Sequence, residues 1–400
     1  MKKLILILAL ALLLCSCADA ATKIGLDRLN WSQQLPGTIG PNVDATAINS
    51  ALHSNKDVEI IGPCTITSAI VPVNGNNIII NGTIAVSGEC NGFTVVEDNI
   101  KIVGGTIDCT SQTGYYSDGI YIQSDNIVID GVNIIKSKRH GIMAFMCSNV
   151  DVYNCDVYNS SNYGIFFDRV SISANIANNN VSKSYSNAID IYPVNNSKYI
   201  ISENLVDGVY AGNGIAVASS TDTITASTII SNNIVSNTCK EGIITIYTNG
   251  TTITDNSVFW TDSSSTDLGI TTDRSMFTVI VGNTVMRSSI AGINLDAAQF
   301  CAVTGNVVYN CGTVGSVVDT YDTHGILIQD GYGISRGNYV GGNNVYSELG
   351  NELYGIREFS WHGYGCTYNT VGPNNVYGWT SAAQVVTGDG SINNTGAWFK

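Results

Sequence analysis

Four aspartates carry the chemistry this chain could do at close range. Short runs that begin with a small residue and isoleucine recur along it. Asp273 in "GITTD" (269–273) and Asp296 in "GINLD" (292–296) hold the same place in successive runs. If those runs are neighbouring parallel strands, their backbones lie about 5 Å apart. Two carboxylates that close raise one pKa unless a cation intervenes, and an acid beside a nucleophile or base is what glycoside hydrolysis requires. Arg274 follows Asp273 directly and can orient a carboxylate or a sugar acid. Asp168 in "GIFFD" and Asp190 in "AIDIY" form a second pair, also on successive runs but offset by two residues. The same geometry separates them by about 8 Å, nearer the spacing of an inverting pair. Phe145, Phe166 and Tyr192 surround them, and flat aromatic faces suit sugar stacking. Calcium is another use for paired carboxylates, since it takes hard oxygen ligands. The plainest alternative is that these are solvated surface aspartates.

Two histidines stand just before a run: His140 in "KRHGI" and His324 in "DTHGI", the latter with Tyr321 and Asp322 beside it. Histidine is the general base most easily used near neutral pH. Other runs carry Asp, Tyr, Asn, Glu or Leu at that place, so the position itself makes no demand for an imidazole.

These residues are useful only if something holds the runs in register. Taking the fourth place of "ISENLV" (201–206), "ISNNIV" (230–235), "ITDNSV" (253–258) and "VTGNVV" (303–308), a marker falls at Gly82, Gly105, Val132, Cys155, Asn179, Asn204, Asn233, Asn256, Asn283, Asn306, Asn343 and Asn374. Most steps are 23 to 29 residues and the last two are longer. The small-residue–isoleucine marker runs in parallel from Gly119 to Gly355. Two signals in one period near 24, with short alternating segments and no helical pattern, predict one coil per repeat and parallel strands stacked coil on coil. Alternation places Ile120, Ile165, Ile189, Ile215, Ile243, Ile270, Ile293 and Ile326 inside and their neighbours outside. The recurrent asparagine then sits at a bend, where each amide can bond to the coil above and below. Gly82 and Gly105 serve the same bend by accepting unusual dihedrals.

The composition agrees. Charged residues make up 12%, hydrophobic residues 44%, with 41 glycines and 6 prolines, too apolar for disorder and too rich in glycine for a helical protein. A formal net charge of −14 argues against a nucleic-acid partner. A polyanionic substrate would need local cationic groups. Lys2 and Lys3 followed by the apolar run Leu4 to Leu14 read as an export signal over residues 1–20, too short to span a bilayer. Ala18-Asp19-Ala20 is a cleavage site, and Leu14-Cys15-Ser16-Cys17 is similar to a lipobox with Cys17 acylated, so the protein is either released or tethered to an envelope membrane by lipid. Nine of the eleven cysteines follow Ala20 without CxxC or Cys/His spacing, which favours buried thiols over a disulfide framework.

With its 24-residue coils, its Gly-Ile strands and its asparagine bends, the chain resembles the pectin-lyase-like superfamily of right-handed parallel β-helix proteins over roughly residues 70 to 380. The resemblance implies the handedness, and it implies a short helix and a strand-turn-strand as the N-terminal plug. "DATAINSAL" from Asp44, with Ala47, Ile48, Ala51 and Leu52 at helical spacing, and then "VEIIGPCTI" match that order. The expectation is an all-β, single-stranded parallel β-helix of about 12 coils: a cap over 21–68, the solenoid over 69–380 and a C-terminal cap over 381–400. Carbohydrate-active members place their sites on one stacked sheet, which implies a polysaccharide partner and a hydrolase. A lyase or epimerase, or a non-catalytic adhesin, are the alternatives. "YDTH" at 321–324 resembles the tyrosine and D-P-H motif of alginate epimerases and lyases, with Thr323 in place of the proline. "SDG" (117–119) and "RHG" (139–141) match fragments of polygalacturonase signatures whose other elements are missing. Copper-maturation proteins share such repeats, but no methionine–histidine cluster is present to hold copper.

Overall fold

The computed structural model describes residues 37–219, 226–259, 268–312, 324–331, 333–348, 354–360 and 363–379. Among the described residues one helix, α1 (Ala45–Ser54), precedes three long parallel sheets of 13, 13 and 11 strands, in which each strand bonds to its counterpart one coil away, and a two-stranded sheet pairs Ser335–Arg336 with Cys366–Thr367. The expected winding is present, with slightly more coils than the twelve anticipated. The signal segment with Cys17 and the tail over 381–400 lie outside the described residues.

α1 begins where the Asp44 side chain accepts the Ala47 amide at 2.9 Å. Its buried face is Ala45, Ile48 and Leu52, and Ala47 points to solvent. The side chains of Asn49 and Asn76 tie the helix to the first coil: Asn49 Nδ2 donates to the Ala69 carbonyl and Asn76 Nδ2 to that of Leu52, each at 3.2 Å.

Inside the solenoid the period-two pattern does what it predicts. All eight marker isoleucines from Ile120 to Ile326 are fully buried. The small residue before them has a packing cause. A Cβ on Gly164 would lie 2.3 Å from Val181 Cγ1 and 2.6 Å from the Ala188 carbonyl oxygen, so the third sheet closes against the second only where that side chain is absent or, at Ala188, a methyl. Cys64, Cys109, Cys147, Cys155, Cys301, Cys311 and Cys366 are buried thiols. Glu358, at an inward place of the last strand of the third sheet (Tyr354–Phe359), is wholly buried, and Asn369 Nδ2 donates to its Oε1 at 3.2 Å.

The asparagine bend is a directional ladder. Each Oδ1 accepts two bonds from the coil before it. Asn256 Oδ1 takes the Asn233 amide and Asn233 Nδ2, both at 2.9 Å, and Asn283 Oδ1 takes the same pair from Asn256. Every Nδ2 also reaches a carbonyl on the strand one coil back, as Asn256 does to Ile230 at 2.9 Å. The pattern runs unbroken from Asn179 to Asn374. The residue just before each of these asparagines from Asn179 to Asn343 carries the left-handed turn, for example Asp255 at φ 55° and Gly282 at φ 71°, whereas Asn374 follows Pro373.

Asn256→Leu removes the Oδ1 that accepts from both the Asn233 amide and Asn233 Nδ2 and leaves that buried amide donor unpaired. It is expected to cost about 1–3 kcal/mol, read as a lower melting temperature and urea midpoint. An unchanged melting curve would show that the ladder is not a stability element.

Candidate functional site

The third sheet carries the four aspartates, and its outer face is divided into two columns. The residues one place after the isoleucine include Met143, Phe166, Asp190, Ala216, Ile244, Thr271, Asn294 and Leu327, all buried although they point away from the solenoid core. The residues two places further on include Phe145, Asp168, Tyr192, Ala218, Ile246, Asp273, Asp296 and Gln329; Tyr192 is exposed and the others are partly exposed. The exposed strip is therefore the row of strand ends.

Asp273 and Asp296 are in register, as partners between strands Leu268–Asp273 and Ala291–Asp296. Their surroundings differ. Arg274, in the left-handed region at φ 48°, turns its guanidinium back on its neighbour: Nε donates to Asp273 Oδ1 at 2.9 Å and Nη2 to Oδ2 at 2.5 Å. The same guanidinium lies 4.3 Å over the Tyr247 ring and donates to its hydroxyl at 2.5 Å. Arg274 is thus engaged with Asp273 rather than open to a substrate carboxylate. Asp296 accepts the Gly331 amide at 2.7 Å and Gln329 Nε2 at 3.1 Å. Its pKa is pushed up to about 7, by burial first and the neighbouring Asp273 charge second. Gly331 has to be glycine for that contact, since a Cβ there would fall 2.4 Å from Asp296 Oδ1.

Asp168 and Asp190 do not face one another directly. Phe166 is the partner of Asp190, and Tyr192 is the partner of Asp168. Asp190 is 1% exposed, not the solvated outward carboxylate that alternation suggests, because the column it occupies is covered. Neither carboxylate oxygen has a hydrogen bond of normal geometry; the nearby Asn187 side chain and Ile191 amide offset the desolvation only in part. Burial pushes its pKa up to about 7, and the Asp168 charge adds to that. Above it the Tyr163, Phe166 and Tyr192 rings pack at 4.6 Å and 5.2 Å between centroids. Arg169, at φ 58°, donates Nε to Asp168 Oδ1 at 3.1 Å and lies 5.0 Å over the Phe145 ring.

Both histidines are buried and stacked on tyrosine, His140 on Tyr163 at 5.2 Å and His324 on Tyr354 at 5.7 Å. Burial takes each pKa down to about 3, with Arg139 and Arg357 adding to the effect, so both rings are neutral at pH 7 and neither is a solvent-accessible base. Tyr321, named beside His324, lies outside the described residues. Tyr247, Gln329 and Gly331 complete the Asp273–Asp296 cluster and were not legible as site residues. The one available sign was that Tyr247 takes the place in "ITIY" that Arg274 takes one coil later.

At the N-terminal end of the same sheet a pocket of about 530 Å³ opens between Glu89–Asn91, Thr94 and Gly114–Ser117. Tyr115 and Tyr116 stand at its rim, 75% exposed, and Arg139 lies 5.9 Å over Tyr116. Behind it the fully buried Asp118 accepts Arg139 Nε at 2.8 Å and the His140 amide at 3.0 Å.

A family model described as "Right handed beta helix region" matches residues 191–380. The chain is a right-handed parallel β-helix protein. A second model, described as "Periplasmic copper-binding protein (NosD)", matches residues 73–260 of the same winding. Among the described residues no group of three His, Cys, Asp or Glu side chains comes together to hold a metal ion. Calcium at Asp273 and Asp296 would need further oxygen ligands. Solved β-helix structures align over most of the chain. The A-module of the Azotobacter vinelandii mannuronan C-5 epimerase AlgE4 matches at 14% identity and TM-score 0.63, over 88% of this chain and 96% of that one. The tailspike protein 3 of bacteriophage CBA120 matches at 12% identity and TM-score 0.61, over 86% and 59%. The Dettilon tailspike matches at 16% identity and TM-score 0.57, over 84% of this chain. This chain thus spans 63% of the Dettilon tailspike's length. At such identities the likeness is one of fold. No curated protein sequence matches this β-helix protein.

Asp190 and Asp296 bind a proton more tightly folded than unfolded. Their contribution to stability is complete below the ordinary aspartate pKa of about 3.9 and is lost as pH rises through about 7. Asp190→Asn is therefore expected to melt with the parent at acid pH and above it at alkaline pH. Parallel melting curves at both ends of that range would rule out a buried acid at this position.

Proposed function

We propose that this β-helix protein is an exported enzyme that cleaves a polysaccharide with Asp273 and Asp296. One observation carries the reading: two in-register carboxylates on neighbouring strands sit in environments that divide the labour of acid and base. Such divergence is the usual mark of an acid–base assignment. Asp296, with its pKa near 7, is the general acid that protonates the leaving glycosidic oxygen. Asp273, gripped through two hydrogen bonds by Arg274, is the carboxylate that meets the anomeric carbon or activates water. Neighbouring strands are about 4.8 Å apart, which is nearer the short carboxylate separation of retaining enzymes than the longer one of inverting enzymes. In the retaining sequence Asp273 forms an ester with the anomeric carbon as the glycosidic bond breaks. Water then attacks that carbon, gives its proton to Asp296 and releases Asp273.

Two further points support a glycan. The exposed row of strand ends interleaves polar groups with Phe145, Tyr192 and Tyr247, the surface a sugar ring stacks on. A solved protein of the same winding is an epimerase of a polysaccharide, mannuronan. The basic and apolar N-terminus supports export, with the lipid anchor at Cys17 as the tethered form. A net charge of −14 disfavours nucleic acid as the partner.

The test is turnover. Incubation with neutral and acidic polysaccharides, with and without calcium, is expected to release reducing ends. Asp296→Asn and Asp273→Asn should each lose about 10²–10⁴ in kcat while remaining folded. Because the acid must hold its proton, activity of the parent should fall as pH rises through about 7. Unsaturated uronates as product would make the protein a lyase, and altered sugar configuration without cleavage an epimerase. Glycan binding with no chemistry would make it an adhesin.

A further inference from the structure

The strand-end row contains the same assembly twice. At Asp168-Arg169 and at Asp273-Arg274 the arginine occupies the left-handed turn immediately after the strand. In both places it folds back on the aspartate before it and lies over an aromatic ring of the preceding coil, Phe145 or Tyr247. Strands Ile165–Asp168, Ile189–Tyr192, Ile215–Ala218, Ile243–Ile246 and Leu268–Asp273 are successive neighbours. Four strand spacings separate the two assemblies, about 19 Å, a span comparable to about four or five sugar units of an extended chain. The end positions between them, Ala218 and Ile246, are uncharged and half-buried, so no ionic group interrupts the row.

The two assemblies differ at one rung. One coil beyond Asp273 the in-register partner is Asp296, whereas one coil beyond Asp168 it is Tyr192, 39% exposed and packed edge-on against Phe166. The later assembly has the second carboxylate that bond cleavage needs. The earlier one has a ring that a sugar can lie on. Charge narrows the ligand further. The three arginines on or beside this stretch are each met by a carboxylate: Arg139 by Asp118, Arg169 by Asp168 and Arg274 by Asp273. Asp190, Glu241 and Asp296 add acidic groups beside them, on a chain of formal charge −14. A uronate or sulfated polymer would meet no uncompensated guanidinium there, and its own charges would be repelled.

We propose that the substrate is an uncharged linear polysaccharide that occupies both assemblies at once, with Asp168, Arg169 and Tyr192 as a distal binding station for a chain processed at Asp273 and Asp296. The processing half rests on the function proposed above; the binding half stands without it.

Affinity electrophoresis of the whole protein tests the binding half. Gels are cast with xyloglucan, galactomannan, mixed-linkage glucan and dextran, and separately with polygalacturonate, alginate and hyaluronate, at low and high salt. At least one neutral polymer is expected to retard the protein to the same degree at both salt concentrations. Oligosaccharides of that polymer should compete fully only from about four or five units upward, the length that bridges the stations. Tyr192→Ala should weaken retardation by about two- to tenfold and abolish the dependence on length. Arg169→Gln, a change at a residue 51% exposed, should act in the same direction if Tyr192→Ala does not fold. Salt-sensitive retardation by a uronate polymer, competition by disaccharides as effective as that by longer chains, or no retardation in any gel would each overturn the proposal. Length-dependent retardation without release of ends or change of sugar would remove the catalytic reading and leave this one standing.

Discussion

The whole molecule depends on coils meeting in register at one strand spacing, and from Asn179 to Asn374 the asparagine ladder is the interaction that holds them there. Each Oδ1 binds both donors of the asparagine on the coil before, and each Nδ2 closes on a carbonyl of the older coil. A slip of one residue in any coil would misplace both sets of bonds and turn the inward isoleucines outward. Because buried amides left unpaired cost far more than paired ones return, the ladder penalises misregister more strongly than it rewards register. The fully buried isoleucines alone would tolerate a slip of two.

Register has a chemical consequence. A solenoid repeats each position at about 4.8 Å, so an acidic residue retained at one position on two coils creates close like charges. The fold treats the acidic residues of this face in two ways. At Asp273 and Asp296 donors are supplied: a guanidinium for the first, and an amide and a carboxamide for the second. At Asp190, between Phe166 and Ala216 in its column, neither oxygen has a hydrogen bond of normal geometry and the nearby Asn187 side chain and Ile191 amide offset burial only in part. Burial dominates the raised pKa in both cases. Only Asp296 combines it with hydrogen-bond donors and partial exposure, which is why the chemistry is assigned there and not at Asp190.

The period, the inward residues, the bend asparagines and the Asp273–Asp296 register were all legible in the sequence, because each depends on spacing along a repeating backbone. The exposure of Asp190 was not. Alternation says which side of a strand a residue points to, but not whether that side is wet. The column of Met143, Phe166, Ile244 and Leu327 was already a sign that it is dry. The histidines were misleading for a related reason: each stacks on the tyrosine at the same place one coil on, Tyr163 or Tyr354, and the spacing does not say that this column is buried. The Arg274–Asp273 pair was hidden because neighbouring residues of a strand point apart. It forms only because Arg274 has left the strand for a left-handed turn.

In the function proposed above, that turn is also what lets one frame bind in one place and react in another. At both bends the arginine is brought back onto the aspartate before it and over a ring of the preceding coil, so Asp-Arg builds the same clamp in the two places. What the clamp does is decided by the next rung. An aromatic there, as at Tyr192, offers a surface without a proton to give. A carboxyl there, as at Asp296, is forced by its neighbour and by burial toward the protonated form, which is what a leaving oxygen needs. In a solenoid, acquiring chemistry at a binding station requires one side chain to change on the adjacent coil, with the backbone, the ladder and the clamp left as they are.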